Sequence, residues 1–245
     1  MTSRAVGGRR AALESLRAGL AREILVAEGS RITPGLRELL AASREASVPV
    51  REVPRRELDA FSSDHHGVVA VVSPGNAREI DERALASWRY GDDDVVVVLD
   101  GIADPQNLGA AARSAEAAGV VMLVSRVRRA APVSPSAISA SAGALLHLPH
   151  ARVANIPRAL ERLKQAGFTV VGLDERASTS VYDEPCPEGR VAVVLGSEVS
   201  GMSRLSRERC DVLVSLPMRG SVAALNASAS LAAVLYAYVL PSRTG

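Results

Sequence analysis

Two polar side chains stand where an α/β chain would place chemistry: Asn107 and Arg113. Asn107 and Arg113 lie in DPQNLGAAARSAEAAG, which follows the apolar run VVVVLD. A turn from strand to helix needs a cap and a small residue. Asp104 and Pro105 supply the cap and the first helical position. The asparagine and the arginine are surplus to that need. Six residues of ideal helix set two side chains about 120° apart. The reading that follows puts Asn107 in the turn at the strand's carboxyl end and Arg113 one and a half turns into the helix. Ligands of parallel sheets gather at that end. The plainer alternative makes Asn107 a turn cap and Arg113 a surface charge.

Two further strand ends carry short polar loops. VVLGSEVSGMS ends a buried strand in Gly196, followed by Ser197, Glu198 and Gly201. A glycine there lets a ligand approach the backbone. LPMRGSVAALNASASLAAVLY ends a strand and enters a helix that Asn226 or Ser228 could cap. The G-x-G-x-x-G fingerprint of dinucleotide-binding folds is absent, which argues against a nicotinamide dehydrogenase.

These loops need a sheet to hold them together. VVVVLD, VVMLVS, TVVGLD, VAVVLG and DVLVSLP are continuous apolar runs separated by helical stretches such as IPRALERLKQAG. That pattern predicts a parallel sheet covered on both faces. Residues 93–245 make up this unit. Before it, residues 1–75 alternate helical and strand patterns and form a small α/β unit of their own. TPGLRELLAASREA opens with a Thr33 cap and Pro34, and Leu36, Leu39 and Leu40 make a helical stripe. Residues 76–92, polar and preceded by Pro74 and Gly75, read as a linker with room for a short helix around Glu82–Trp88. In the last helix Leu231, Val234, Leu235 and Tyr238 share one face, and Ala232, Leu235, Tyr236 and Val239 the next. So apolar a helix is expected to be covered on more than one side, with a second subunit as one cover.

Composition narrows the classes. Apolar residues are 47% of the chain, with no run near the length of a membrane helix and no signal-peptide pattern at the start. A cytoplasmic protein without membrane attachment is expected. Two cysteines, Cys186 and Cys210, make neither a disulfide framework nor a four-thiolate zinc site. His65 and His66 are adjacent, and the three-residue spacing of His147 and His150 could bring two ligands together, but LHLPH reads as a strand end before a proline and no metal is expected. The net charge is only +2, and Lys164 is the single lysine among many arginines. Arg126–Arg129, with Arg9, Arg10, Arg51, Arg55 and Arg56, are candidate phosphate contacts. Aromatics are 3% of the chain, so shape and phosphate recognition fit better than base stacking.

Taken in order, the three stretches resemble the signature motifs of the SpoU/TrmH family of SPOUT methyltransferases. DPQNLGAAAR matches the first motif, LGSEVSG the second, and PMRG with ALNAS the third, except that Ala224 stands where serine is usual. The first unit resembles the ribosomal-protein-like substrate-binding domain of the family's ribosomal RNA members, with HHGVVAVV at its closing strand. The resemblance implies a parallel sheet with a carboxyl-terminal trefoil knot, a homodimer, and S-adenosylmethionine as cofactor. It implies methyl transfer to a ribose 2′-hydroxyl, with large-subunit ribosomal RNA as the expected substrate. Alternatives are a transfer RNA or drug-resistance methyltransferase, and a non-catalytic ribosome-assembly factor. By position, Gly196, Leu216, Met218 and Leu225 would hold the cofactor, while Asn107, Arg113, Glu198 and Asn226 would face the reacting centre. No metal is required, because a sulfonium methyl is already activated. Glu198 would orient Arg113, within the chain or across the dimer.

Overall fold

The computed structural model describes residues 4–17, 19–61, 65–72, 79–221 and 224–243. Pro74 and Gly75, on which the start of the linker was read, lie outside them. The chain opens with β1 (Arg4–Gly7), α1 (Arg9–Arg17), β2 (Ala21–Ala27), α2 (Pro34–Glu45), β3 (Val50–Val53), α3 (Arg55–Asp59) and β4 (Val68–Val72). These strands form a four-stranded sheet of order β1-β4-β2-β3, in which only β2 and β3 run parallel. Thr33 caps α2 as its sequence requires, accepting from the Leu36 N–H. Leu36 and Leu39 are buried, while Leu40 is only partly so.

A second sheet follows: β5 (Glu79–Asp81), a 3-10 turn (Glu82–Leu85), β6 (Val95–Asp100), α4 (Pro105–Ala117), β7 (Met122–Arg126), α5 (Pro135–Ala140), α6 (Ala144–His147), β8 (His150–Val153) and α7 (Ile156–Gln165). It continues through β9 (Thr169–Leu173), β10 (Val191–Gly196), α8 (Arg204–Glu208), β11 (Val212–Val214) and α9 (Ala227–Val234). Helix α9 runs on into a π turn (Leu235–Val239) and a 3-10 turn (Leu240–Arg243). All seven strands are parallel, in the order β11-β9-β10-β6-β7-β8-β5. Each residue of β6 and β10 is buried, as continuous valine runs require. Val95, Val97 and Leu99 join the core on the α4–α9 face, and Val96 and Val98 the core under α7.

One local reading changes and two gain detail. LHLPH is not a strand end: His147 closes α6, and His150 begins β8 beyond the proline. The stretch read as a linker supplies the edge strand β5, and its Leu85 is fully buried. Leu235 and Val239 are covered within the chain, and Tyr236 stays 52% exposed. The first unit packs onto the second through α5 and α6. Ser139 donates to the Gly7 carbonyl at 3.1 Å. A β-carbon on Gly143, at φ +94°, would collide with the Glu14 side chain.

His150 lies wholly buried on β8, its Nε2 2.8 Å from the Ser125 hydroxyl and its Nδ1 without a partner among the described residues. Burial, helped by the nearby Arg152 charge, pushes its pKa down to about 3. The unfolded chain takes up this proton near pH 6.5. The neutral buried ring therefore contributes stability that is full above pH 6.5 and drains away as the pH falls toward about 3. The slope approaches about 1.4 kcal/mol per pH unit. Thermal unfolding between pH 7 and 5 should show the melting temperature falling, and His150→Gln should flatten that fall. A wild-type melting temperature constant over that interval would contradict it.

Candidate active site

The site is assembled where β6 and β10 end side by side, with Gly196 in register with Asp100. The Asp104 side chain accepts from the Gln106 N–H at 2.9 Å and starts α4. The helix therefore begins before Asn107, which sits in its first turn rather than in the preceding loop. From there its Nδ2 donates to Glu198 Oε1 at 2.7 Å. Asn226 caps α9: its Oδ1 accepts from the Ser228 N–H at 3.0 Å and the Ser228 hydroxyl at 2.6 Å. Its Nδ2 donates to Asn107 Oδ1 at 2.9 Å and to Glu198 Oε1 at 2.8 Å. The Ala227 N–H donates to the same oxygen at 3.2 Å. One carboxylate oxygen thus gathers donors from α4 and α9, and three separate strand ends meet on it. A charged acceptor strengthens each of these bonds, and the α9 N-terminus favours an anion there.

Arg113 is not in this cluster. It is exposed on α4 and makes no hydrogen bond or ion pair among the described residues. Within the chain Glu198 Oε1 is engaged by amide donors and makes no ion pair with Arg113 among the described residues. The helical arithmetic holds, but the inference from it fails: Asn107 stands inside the helix and still reaches Glu198.

Beside the cluster lies a cavity of about 410 Å³, lined by Gly196, Glu198, Leu216, Met218, Ala224 and Leu225 among others. All four residues expected to hold a cofactor are on its wall. Its floor is the Ser197–Gly201 turn, closed by the Gly201 N–H to the Ser197 carbonyl at 2.8 Å. A β-carbon on Gly196 would fall inside the backbone of Gly201 and Met202. The turn therefore folds back onto the strand end only because residue 196 has no side chain. Ala224 leaves the wall without a hydroxyl at that point, and Ser228 is engaged by Asn226.

Sequence reasoning passed over two groups. Asp100, only 3% exposed, accepts the Ser203 N–H at 2.9 Å and ties the far side of the turn to β6. Its signal was a carboxylate ending a strand beside the glycine end of its neighbour. Asp174 pairs with Arg207 at 3.0 Å on the cavity wall. Cys210 is no nucleophile: burial pushes its thiol up to about 12. Among the described residues no cluster of histidine, cysteine or carboxylates could hold a metal, and no helix is long and apolar enough to cross a membrane.

The comparisons with known proteins agree with this geometry. Residues 94–236 match the model of the SpoU rRNA Methylase family, and residues 5–77 that for RNA 2′-O ribose methyltransferase substrate binding. The chain belongs to the SpoU rRNA methylase family, a class of RNA 2′-O-methyltransferases. It is 39% identical over 222 residues to the 23S rRNA (guanosine-2′-O-)-methyltransferase RlmB of Pseudomonas putida, covering 88% of this chain and 86% of that one. A crystal structure of an RNA 2′-O ribose methyltransferase superposes with a TM-score of 0.81 at 27% identity, covering 98% of this chain and 88% of that one. AviRb of Streptomyces viridochromogenes, solved with S-adenosylmethionine bound, gives a TM-score of 0.75 at 28% identity, covering 98% and 91%.

Two substitutions test the cavity. Gly196→Ala should displace the turn and abolish binding of labelled S-adenosylmethionine. Glu198→Gln keeps one acceptor oxygen but removes the charge that strengthens its three bonds, and should weaken that binding about tenfold, the scale of one or two charged hydrogen bonds. Calorimetric titration reads both, and wild-type affinity in either would show that the cavity is not the cofactor site.

Proposed function

We propose that this chain methylates a ribose 2′-hydroxyl of large-subunit ribosomal RNA, with S-adenosylmethionine as the methyl donor. The observation that supports this reading is the single Glu198 oxygen joining Asn107 and Asn226 at the rim of a glycine-floored cavity. The cavity fits the cofactor, because Gly196 lets the Ser197–Gly201 turn close its floor and Leu216, Met218 and Leu225 offer apolar walls to an adenosine. S-adenosylmethionine supplies an already activated methyl group. The protein must therefore position the acceptor hydroxyl and manage its proton. Asn107, Glu198 and Asn226 fix the rim against which the ribose is held. Arg113 contacts the nucleotide rather than the cofactor. Its guanidinium stays protonated, so it binds the adjoining phosphate or stabilises the developing alkoxide instead of accepting the proton.

The same reading extends to the organisation of the chain. Residues 1–75 serve as the RNA-binding unit, 76–92 connect it while lending β5 to the second sheet, and 93–245 form the catalytic unit. The chain acts in the cytoplasm as a homodimer, with the exposed Tyr236 side of the terminal helix as part of the contact. The terminal helix is threaded beneath the β9–β10 connection as a knot. Supporting contacts are the Tyr238 hydroxyl donating to the Pro185 carbonyl at 3.2 Å and the Val181 N–H donating to the Ser215 carbonyl at 3.0 Å.

The test is transfer of labelled methyl to unmodified 23S ribosomal RNA and to transfer RNA. Label should enter the ribosomal RNA at an alkali-resistant linkage. Arg113→Ala should lower turnover about 100-fold or more while leaving cofactor affinity within about twofold, because Arg113 lies off the cavity wall. Near-full turnover in Arg113→Lys would remove its assigned role. Label in transfer RNA alone would transfer the reading to that substrate.

A further inference from the structure

The loop after β7 holds an arrangement that the cavity does not use. It runs from Arg126 to Ala131 and carries Arg126, Arg128 and Arg129. Its far end is fixed beside the approach to α4, where the Ala131 N–H donates to the Ile102 carbonyl at 2.8 Å. At its near end Arg126 lies 3.7 Å from the Asp100 carboxylate, the group that also holds the cavity turn. Between these ends Arg152, on β8, reaches under the loop. Its Nε donates to the Arg126 carbonyl at 3.1 Å, its Nη2 to the Val127 carbonyl at 3.2 Å and its Nη1 to the Ala131 carbonyl at 3.4 Å.

Three carbonyls drawn onto one planar fork need a guanidinium, and an ammonium could not span them. The consequence is a loop whose acceptors turn inward. Arg128 and Arg129 are exposed and have no ion pair or hydrogen bond among the described residues. Arg129 is held at φ +56°, a conformation that a residue with a β-carbon keeps only when its surroundings impose it. A charge run that merely solvates a surface requires none of this. The loop also borders the turn into α4 that carries Asn107.

We propose that Arg152 is a positioning residue that shapes the Arg126–Ala131 loop into a cradle for RNA backbone phosphates beside the target ribose, with Arg128 and Arg129 as the contacting groups. This rests on the RNA-methyltransferase reading above.

The experiment measures binding of an unmodified 23S ribosomal RNA transcript across a series of salt concentrations. It compares the full-length protein with the double variant Arg128→Ala/Arg129→Ala, with Arg152→Gln and with Arg152→Lys. Two lost phosphate contacts should flatten the slope of log affinity against log salt by roughly 1.4 to 1.8. Both Arg152 variants should flatten it in the same direction, although Arg152 itself is engaged by carbonyls. Affinity for labelled S-adenosylmethionine should stay within about twofold in all of them. Unchanged slopes, or wild-type RNA affinity in Arg152→Lys, would overturn the proposal. If the Arg152 variants fail to fold, the double variant on the exposed loop still decides. Methyl transfer is scored separately. A wild-type protein with a loop-dependent salt slope but no transfer would sink the methyltransferase reading and leave the cradle. Transfer by wild type with loop variants binding RNA normally would sink the cradle alone.

Discussion

The molecule turns on one carboxylate oxygen. Glu198 Oε1 accepts from Asn107, from Asn226 and from the Ala227 backbone. Those donors sit on α4 and α9, and the acceptor on the turn after β10, so the contact requires three distant parts of the chain to converge. The sheet order provides this. β10 lies beside β6 although about ninety residues separate them, and α9 returns to pack on α4. Any displacement of one element by more than the tolerance of a hydrogen bond breaks the junction. Because Glu198 is exposed, solvent screens these bonds, so the junction contributes more to geometry than to global stability.

Close backbone approach is what allows the convergence, and glycine makes it possible at two places. Gly196 lets the Ser197–Gly201 turn lie on its own strand. Gly109 lets α4 press on α5, where a β-carbon would meet the Ala137 carbonyl, the Ala140 side chain at 2.6 Å and the Ser141 nitrogen at 2.9 Å. The alanines Ala111, Ala112 and Ala115 continue that thin surface into the core. The small residues of this run let α4 pack closely against α5 and the core. Asp100 completes the frame from inside the sheet, with a buried carboxylate that a backbone N–H and an arginine share.

Much of this was legible in the residues. Long valine runs announced the central parallel strands, because a strand buried on both faces cannot alternate. Asp104-Pro105 and Thr33-Pro34 announced helix starts through local chemistry. The position of Asn107 was misjudged for a physical reason: a cap at Asp104 commits the next residues to helix, so an asparagine three residues on cannot remain in the turn. The short strands β5 and β8 escaped notice because three or four residues leave too short a pattern to read. LHLPH misled because the proline separates a helix end from a strand start, and both are apolar. That Glu198 would bind amides rather than Arg113 depended on side-chain directions that spacing does not carry.

The charge distribution makes a last point about how a chain of net charge +2 can address a polyanion. Many of its arginines are engaged by carboxylates away from the cavity. Arg17 pairs with Glu14 and Glu38, Arg51 with Glu23 and Glu57, Arg162 with Glu82, and Arg209 with Glu161. Such pairs cancel at a distance and leave little field. Around the ends of β6 and β7 the balance differs. Arg113, Arg128 and Arg129 are exposed without carboxylate partners among the described residues, while the acid most deeply buried there, Asp100, is spent on Arg126 and a backbone N–H. A formal count over the whole chain therefore understates the positive potential at the site. Pairing decides where an arginine acts as structure and where it remains available to phosphate, and Arg128 and Arg129 on the loop after β7 are among the available ones.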